Sequence, residues 1–329
     1  MGIEQKGAVQ MHIHLHRWGC LALLLAGICI LSPGQGWSGE TGHYFPGIAN
    51  IRDFVVPPPG YYYLQYNAYY HSDTFRDSGG DKVDSVQVGP ETIDIDADLD
   101  VWTILPTFIW STDWKILGAR YSGFVQPSFG NTSVQAQAEI VGRGEEADES
   151  GFGMGDLYVQ PVWLGWHWTH FDLSPAFGFY VPIGKYDEGA ADNIGLGYWS
   201  FNFFLNGVYY PFKDQSTAVS VTGIYEINTN REGVDIRPGD HFTLEYGISQ
   251  YLSERLEVGL SGYNTWQVTD DSGSDATNNG RDRMYGIGGQ IAYWFVKDKF
   301  SVSARYLTQY GVKDRTEGDY GVLTLMYVF

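Results

Sequence analysis

Residues 91–102 read ETIDIDADLDVW. Asp94, Asp96, Asp98 and Asp100 fall on every second position, and Ile93, Ile95, Ala97, Leu99 and Val101 fill the gaps. Two readings compete: a calcium loop, and a strand with one wet and one greasy face. An EF-hand loop needs a glycine at its sixth position and a bidentate glutamate at its twelfth. Counted from Asp94, those positions hold Leu99 and Leu105. A period of two suits a strand, because alternate side chains point to opposite faces. Four unpaired carboxylates cannot enter a dry core, so their face meets water or a polar lumen. Asp94, Asp96 and Asp98 stay as the candidates for a metal site, with the strand as the main reading.

The alternation recurs along the chain. In Gly60–Ser72, GYYYLQYNAYYHS, one face carries Tyr62, Leu64, Tyr66, Ala68 and Tyr70, and the other Tyr63, Gln65, Asn67 and His71. Similar runs follow at His241–Tyr251, Leu256–Gln267 and Phe300–Tyr310. Short polar links at Thr112–Lys115, Thr169–His170, Lys213–Ser216, Ser253–Arg255 and Lys297–Lys299 alternate with longer stretches. The longer ones are Asp73–Glu91, Asn131–Gly153, Gly184–Gly197, Asn230–Asp240 and Asp270–Arg281, with a shorter sixth ending at Thr316–Asp319. Runs of about ten alternating residues, short turns at one end and long loops at the other define an up-and-down antiparallel transmembrane β-barrel. About twelve strands are expected, an even number, with periplasmic turns and extracellular loops. A soluble β-sandwich also alternates. It does not explain the alternating loop lengths, strands that run to Phe329, or an aromatic content of 16% with 42 glycines.

The first residues read as a leader. Lys6 and Arg17 precede the apolar run Trp18–Leu31, and small residues follow. This is a secretory signal, expected to be cleaved after 1–38; the run is shorter than the ~20 residues of a spanning helix. Cys20 and Cys29 both lie in it, so the mature chain would carry no disulfide. The whole chain has 20 basic and 39 acidic residues, and loss of Lys6, Arg17 and Glu4 leaves a net charge of about −20. Such a surface excludes nucleic acid as a partner, since that affinity rests on Lys and Arg. Residues 39–59 form a periplasmic linker or a short plug: Pro57–Pro59 are stiff, and His43–Phe54 could tuck into the lumen. Residues 60–329 are the barrel.

Alternation also nominates sites. The inward phase is expected to carry Tyr63, Gln65, Asn67, Arg120 and Gln126, then Glu226, Asn228 and Glu245, then Gln267, Arg305 and Gln309. They would form a hydrogen-bonded lining or constriction, or, for Arg120, Arg305, Glu226 and Glu245, structural charge pairs filling a narrow barrel. Polar residues shift from even to odd positions near Val101, which predicts a β-bulge there or the point where the strand leaves the membrane rim. Asp156 and Asp240 are expected to cap turns, and Trp163, Trp166 and Trp168 to form an interfacial belt. The string GIGG at Gly286 lacks the strand-to-helix context of a nucleotide site, and no cofactor is expected.

The ordered series PPPGYYYLQYNAYY at Pro57, GFGMGDLYVQPVWLGWH at Gly151, YVPIGKYD at Tyr180, NIGLGYWSFNF at Asn193, GIYEINTNR at Gly223, GDHFTLEYG at Gly239 and QVTDDSG at Gln267 resembles the "meta-pathway of phenol degradation" outer-membrane transporters. Ile183 stands where that family commonly has Thr. The resemblance implies a bacterial outer-membrane barrel for passive uptake of small hydrophobic, phenol-like compounds. Its partners would be outer-membrane lipid and lipopolysaccharide, the substrate, and, through a C-terminal Phe329, the barrel-assembly machinery. Two other classes are weighed. A lipase-type barrel needs a Ser, His and acid triad at the outer rim, where His71 and His241 are the available histidines. A structural barrel needs a closed lumen.

Overall fold

The computed structural model describes residues 42–88, 91–140, 143–188, 193–276 and 280–329. The expected leader, with both cysteines, lies outside the described residues. Strands run in order β1 (Gly60–Arg76), β2 (Ser85–Val88), β3 (Glu91–Ile116), β4 (Ala119–Gln126), β5 (Phe129–Ile140), β6 (Arg143–Met154), β7 (Leu157–His167) and β8 (Phe171–Val181). Then come β9 (Ser200–Tyr209), β10 (Thr217–Asn228), β11 (His241–Tyr251), β12 (Leu256–Gln267), β13 (Arg283–Val296), β14 (Phe300–Lys313) and β15 (Arg315–Val328).

Antiparallel pairing runs from β1 through β15 and back in order to β7, then to β4 and β3, and β3 pairs with β1. The ring is therefore closed, with twelve strands in it; β2, β5 and β6 stand beyond it. Closure leaves no unpaired edge around the cylinder, which is what a β-structure needs if its outside is hydrocarbon. Inward side chains are small or polar on many strands: Ser200, Asn202 and Asn206 on β9, Ser220 and Thr222 on β10, Ser301 and Ser303 on β14 are all buried. Outward neighbours are apolar and exposed, including Leu205, Val219, Val221, Ile248, Leu260, Ile287, Ile291 and Leu323. Aromatic chains flank this band at both ends. Phe242, Trp266, Tyr285 and Tyr310 make contacts of 5.7–6.2 Å between ring centres toward one rim. Tyr293, Phe295 and Phe300, and Tyr327 with Phe329, do so toward the other. This is the outer face of a transmembrane barrel.

Three sequence expectations change. First, β3 keeps one register against β1 from Ser111 to Leu99 and against β5 from Ile104 to Asp94, so no bulge interrupts it near Val101. From Leu99 to Ser111 the odd residues face inward, and Asp94, Asp96, Asp98 and Asp100 keep the outward phase; the register shift lies lower, between Ser111 and Lys115. Second, Asn131–Gly153 is not a loop but mostly the β5–β6 hairpin. Phe108 opposite Val125 and Ile104 opposite Phe129 belong to one register, so β4 and β5 are two halves of one long strand, broken at Pro127–Ser128. The return strand breaks at Gly155–Asp156, between β6 and β7. Pro127 has no N–H for a ladder, and the break follows from that. Third, Thr316–Asp319 lies inside β15; Asp314 alone, at φ 55°, joins β14 to β15.

Candidate functional site: the filled lumen

Residues 42–59 run through the barrel interior, and the wall holds their backbone. Glu226 accepts from the N–H groups of His43 and Tyr44 at 2.8 and 3.0 Å. Glu245 accepts from the Gly47 N–H and the Tyr44 hydroxyl, both at 2.7 Å. Arg305 donates to the Gly47 carbonyl at 2.9 Å, and Tyr320 to that of Pro46 at 2.7 Å. Gln290 accepts from the Ile51 N–H at 3.1 Å. A tight turn follows, in which Asp53 accepts from the Asn50 N–H and the Tyr66 hydroxyl at 2.9 Å each. Gly47 sits at φ +76°, and a Cβ there would collide with the Tyr320 hydroxyl, so glycine is required twice over.

Near the end where Gly60 and Phe329 lie, Arg52 anchors the segment. Its Nε donates to Glu257 at 2.7 Å, its terminal nitrogens reach the carbonyls of Gln215 and Ser216 at 3.1 and 3.2 Å, and its guanidinium lies 4.8 Å from the Tyr251 ring centre. Val56 packs into one apolar cluster with Ile109, Tyr62 and Trp163. Ser111 and Arg120 both donate to the Pro57 carbonyl, at 2.8 and 3.2 Å, and Tyr62 to that of Pro58 at 2.6 Å. At the other end, His43 Nε2 lies 2.8 Å from Asp156, which also accepts from the N–H groups of Gly184 and Leu196 at 2.9 and 2.8 Å. The same carboxylate thus ties the N-terminal segment, the strand break and the β8–β9 loop together.

The segment leaves two spaces. One cavity of about 90 Å³ lies between it and the wall of β3, β4, β7, β8 and β9. Its walls include Tyr66, Phe124, Tyr158, Trp163, Tyr180 and Phe204, with polar Gln126, Gln160, Ser174 and Asn206. Phe124 stands edge-on to Trp163 with centres 6.0 Å apart. A larger space of about 650 Å³ lies below, lined by Arg52, Pro57–Pro59, Tyr62, Arg120, His167 and Met326 among others. Asp53, Ile109 and Trp163 border both spaces.

The sequence-nominated residues separate into groups. Glu226, Glu245 and Arg305 face inward and hold the N-terminal segment. Gln126 borders the cavity, donating to Thr107 at 2.6 Å, and Arg120 borders the lower space. Asn228, Gln267 and Gln309 face inward but are tied to the structure around the outer loops: to Gly239, to Asp271 and Asp282, and to Gly318, Tyr70 and Tyr263 respectively. Tyr63, Gln65 and Asn67 are a correction. They stand on the outer face, where a chain of bonds of 2.8 and 2.9 Å links Tyr63 to Gln65 and Gln65 to Asn67, while the buried Tyr62, Leu64 and Tyr66 turn in toward the segment.

Trp163 is also corrected. A register shift between Val159 and Val162 puts two consecutive residues, Pro161 and Val162, outward, and so Trp163 inward, with 4% exposure. Trp166 and Trp168 stay outside, Trp168 stacked on Phe171 at 6.1 Å. Asp94 and Asp96 are exposed on the outward face, and among the described residues no three metal-capable side chains converge. His71 pairs with Asp100 on the exposed face at 2.9 Å. His241 lies buried 3.2 Å from Asp282, and among the described residues neither histidine bonds a serine hydroxyl. The residues missed by sequence reasoning are Asn50, Arg52 and Asp53 in the segment and Gln290 and Glu257 on the wall. All lie in alternating or turn-like positions, but nothing in the sequence tells which wall groups a plug would meet.

The fold and this interior define a closed β-barrel of the outer-membrane type with a filled lumen. The chain belongs to the family described as "Putative MetA-pathway of phenol degradation", whose model matches residues 72–325. Its structure is similar to the crystal structure of an outer membrane channel from Pseudomonas putida F1, with a TM-score of 0.63 at 14% identity, over 87% of this chain and 100% of that one. A Pseudomonas aeruginosa FadL homologue aligns at a TM-score of 0.41 and 11% identity, over 89% and 97%. No curated protein sequence matches the chain.

Proposed function

We propose that this chain is a bacterial outer-membrane channel for passive uptake of small hydrophobic, chiefly aromatic, compounds, and that residues 42–59 are its plug. The observation that carries the reading is the aromatic-walled cavity, held between plug and wall and separated from a wide lower space by Asp53, Ile109 and Trp163. Apolar pockets with a few placed polar groups are the usual form of small-molecule sites. A ring entering the cavity exchanges water for aromatic faces, gaining about 25 cal/mol per Å² of apolar area removed from water. Passage onward requires Arg52–Val56 to shift from the wall. The family's description and the fold of the Pseudomonas putida channel support the same reading. Residues 1–38 act as a cleaved leader, lipopolysaccharide surrounds the outer rim, and Phe329, 77% exposed beside Tyr327, is presented to the assembly machinery.

Uptake of a labelled small aromatic into a strain lacking the gene, with and without the gene restored, tests the proposal. Restored uptake supports it; equal rates in both strains overturn it. The second reading, a closed structural barrel, is favoured by the number of bonds that hold the plug. Removal of Gly42–Phe54 tests the plug: unchanged conductance and uptake would mean that the segment closes nothing.

A further inference from the structure

The cavity wall contains an incomplete hydrogen-bond pair. Ser174 on β8 lies directly opposite Asn206 on β9, and both border the cavity. Each is about 1% exposed. The orientation of the Asn206 amide is set by its surroundings: Nδ2 lies 3.0 Å from Ser220 Oγ, 2.8 Å from Thr222 Oγ1 and 3.4 Å from the Val221 carbonyl. That carbonyl can only accept, so the nitrogen must face it. Among the described residues Asn206 Oδ1 is then left without a partner, and so is Ser174 Oγ. Buried polar atoms in proteins are nearly always paired, so two adjacent orphans at a cavity wall call for a third group. The oxygen of Asn206 only accepts, while the serine hydroxyl can both give and take. Around them stand flat apolar walls from Phe124, Trp163 and Phe204.

We propose that Ser174 and Asn206 are the recognition pair of this cavity. They select neutral, flat, apolar molecules that carry one hydrogen-bond donor, a ring hydroxyl or ring amine, over the same ring without it. The donor hydrogen goes to Asn206 Oδ1, and Ser174 completes the pair by donating to the hydroxyl oxygen. The Asp53 carboxylate also borders the cavity and disfavours an anionic ring. The inference rests on the uptake reading and names the chemistry that the same cavity prefers.

Equilibrium dialysis of phenol and of toluene against the purified barrel in detergent, corrected for partition into protein-free micelles, tests it. The unmodified barrel is expected to hold phenol about tenfold more tightly than toluene, the worth of one net hydrogen bond. Ser174→Ala, which removes one oxygen, and Asn206→Ser, which withdraws the acceptor, are each expected to bring the two affinities within about twofold. Heat-shifted electrophoretic mobility reports whether each variant folds. Loss of the preference in either folded variant supports the pair. No preference in the unmodified barrel, or its survival in both variants, overturns it; if Asn206→Ser fails to fold, Ser174→Ala decides alone. Proteoliposomes that bind phenol with this preference but carry neither compound inward would sink the uptake reading and leave the recognition pair standing.

Discussion

Glu226 and Glu245 each accept two bonds from the N-terminal segment, and three of the four donors are peptide N–H groups. A buried carboxylate is tolerated only when its oxygens are so occupied. The same logic makes Arg52 the lower anchor, and its removal leaves Glu257 buried and alone. Arg52→Ala is expected to weaken docking of the segment by about 2 kcal/mol, the discounted worth of a part-buried pair. Liposome swelling with a small sugar should then rise, and an unchanged rate would count against the anchor. Gly47→Ala places a Cβ at positive φ and against Tyr320, costing about 1–3 kcal/mol. Limited proteolysis should cut the segment sooner in that variant than in the native chain. Alternation in the sequence located Glu226, Glu245 and Arg305 on the inner face. It failed on β1 because both faces of GYYYLQYNAYY mix tyrosine with something else. An apolar plug lets Tyr62, Leu64 and Tyr66 face inward, so the contrast between wet inside and greasy outside disappears on that strand.

Among the elements, β7 decides the shape of the cavity. Its register shift beside Pro161 swings Trp163 from the lipid side to the lumen. A bulge of this kind has no signature in a run such as LYVQPVWLGWH beyond the proline itself, since Val, Trp and Leu suit either face. Trp163→Ala is expected to join the cavity to the lower space and to raise uptake of bulkier rings, while costing the barrel about 3 kcal/mol. Unfolding midpoints in urea and uptake of a two-ring compound read the two effects. The long loops obey different chemistry. Asp235, between β10 and β11, accepts from the N–H and the hydroxyl of Ser274, both at 3.0 Å, and the backbone bond holds its carboxyl below the usual range. A lowered carboxyl stabilises the loop pairing above its unfolded pKa of about 3.9 and loses that contribution as pH falls through the folded value. The Ser274 amide resonance should therefore titrate with a midpoint below that of a free aspartate. A midpoint at or above it would show that the loops are not joined in this way.

For the whole molecule, alternation and loop lengths made the closed antiparallel cylinder legible, down to its strand number. The β5–β6 hairpin was not, because polar strands beyond the membrane need no apolar face and so read as loop. Deletion of Gly42–Phe54 should leave a folded barrel, since the ring's ladders do not involve those residues. Heat-shifted mobility should persist while conductance rises; loss of the shift would mean that the interior segment is part of the fold's minimum. The threading of that segment also imposes an order of events. It is the first described stretch to leave the ribosome, yet its docking groups, Glu226, Glu245, Glu257, Gln290 and Arg305, sit on β10 to β14. The seam between β1 and β15 cannot be zipped until the final strand arrives. Docking of the segment therefore waits on the wall, and only the completed hoop gives that arm a place to rest.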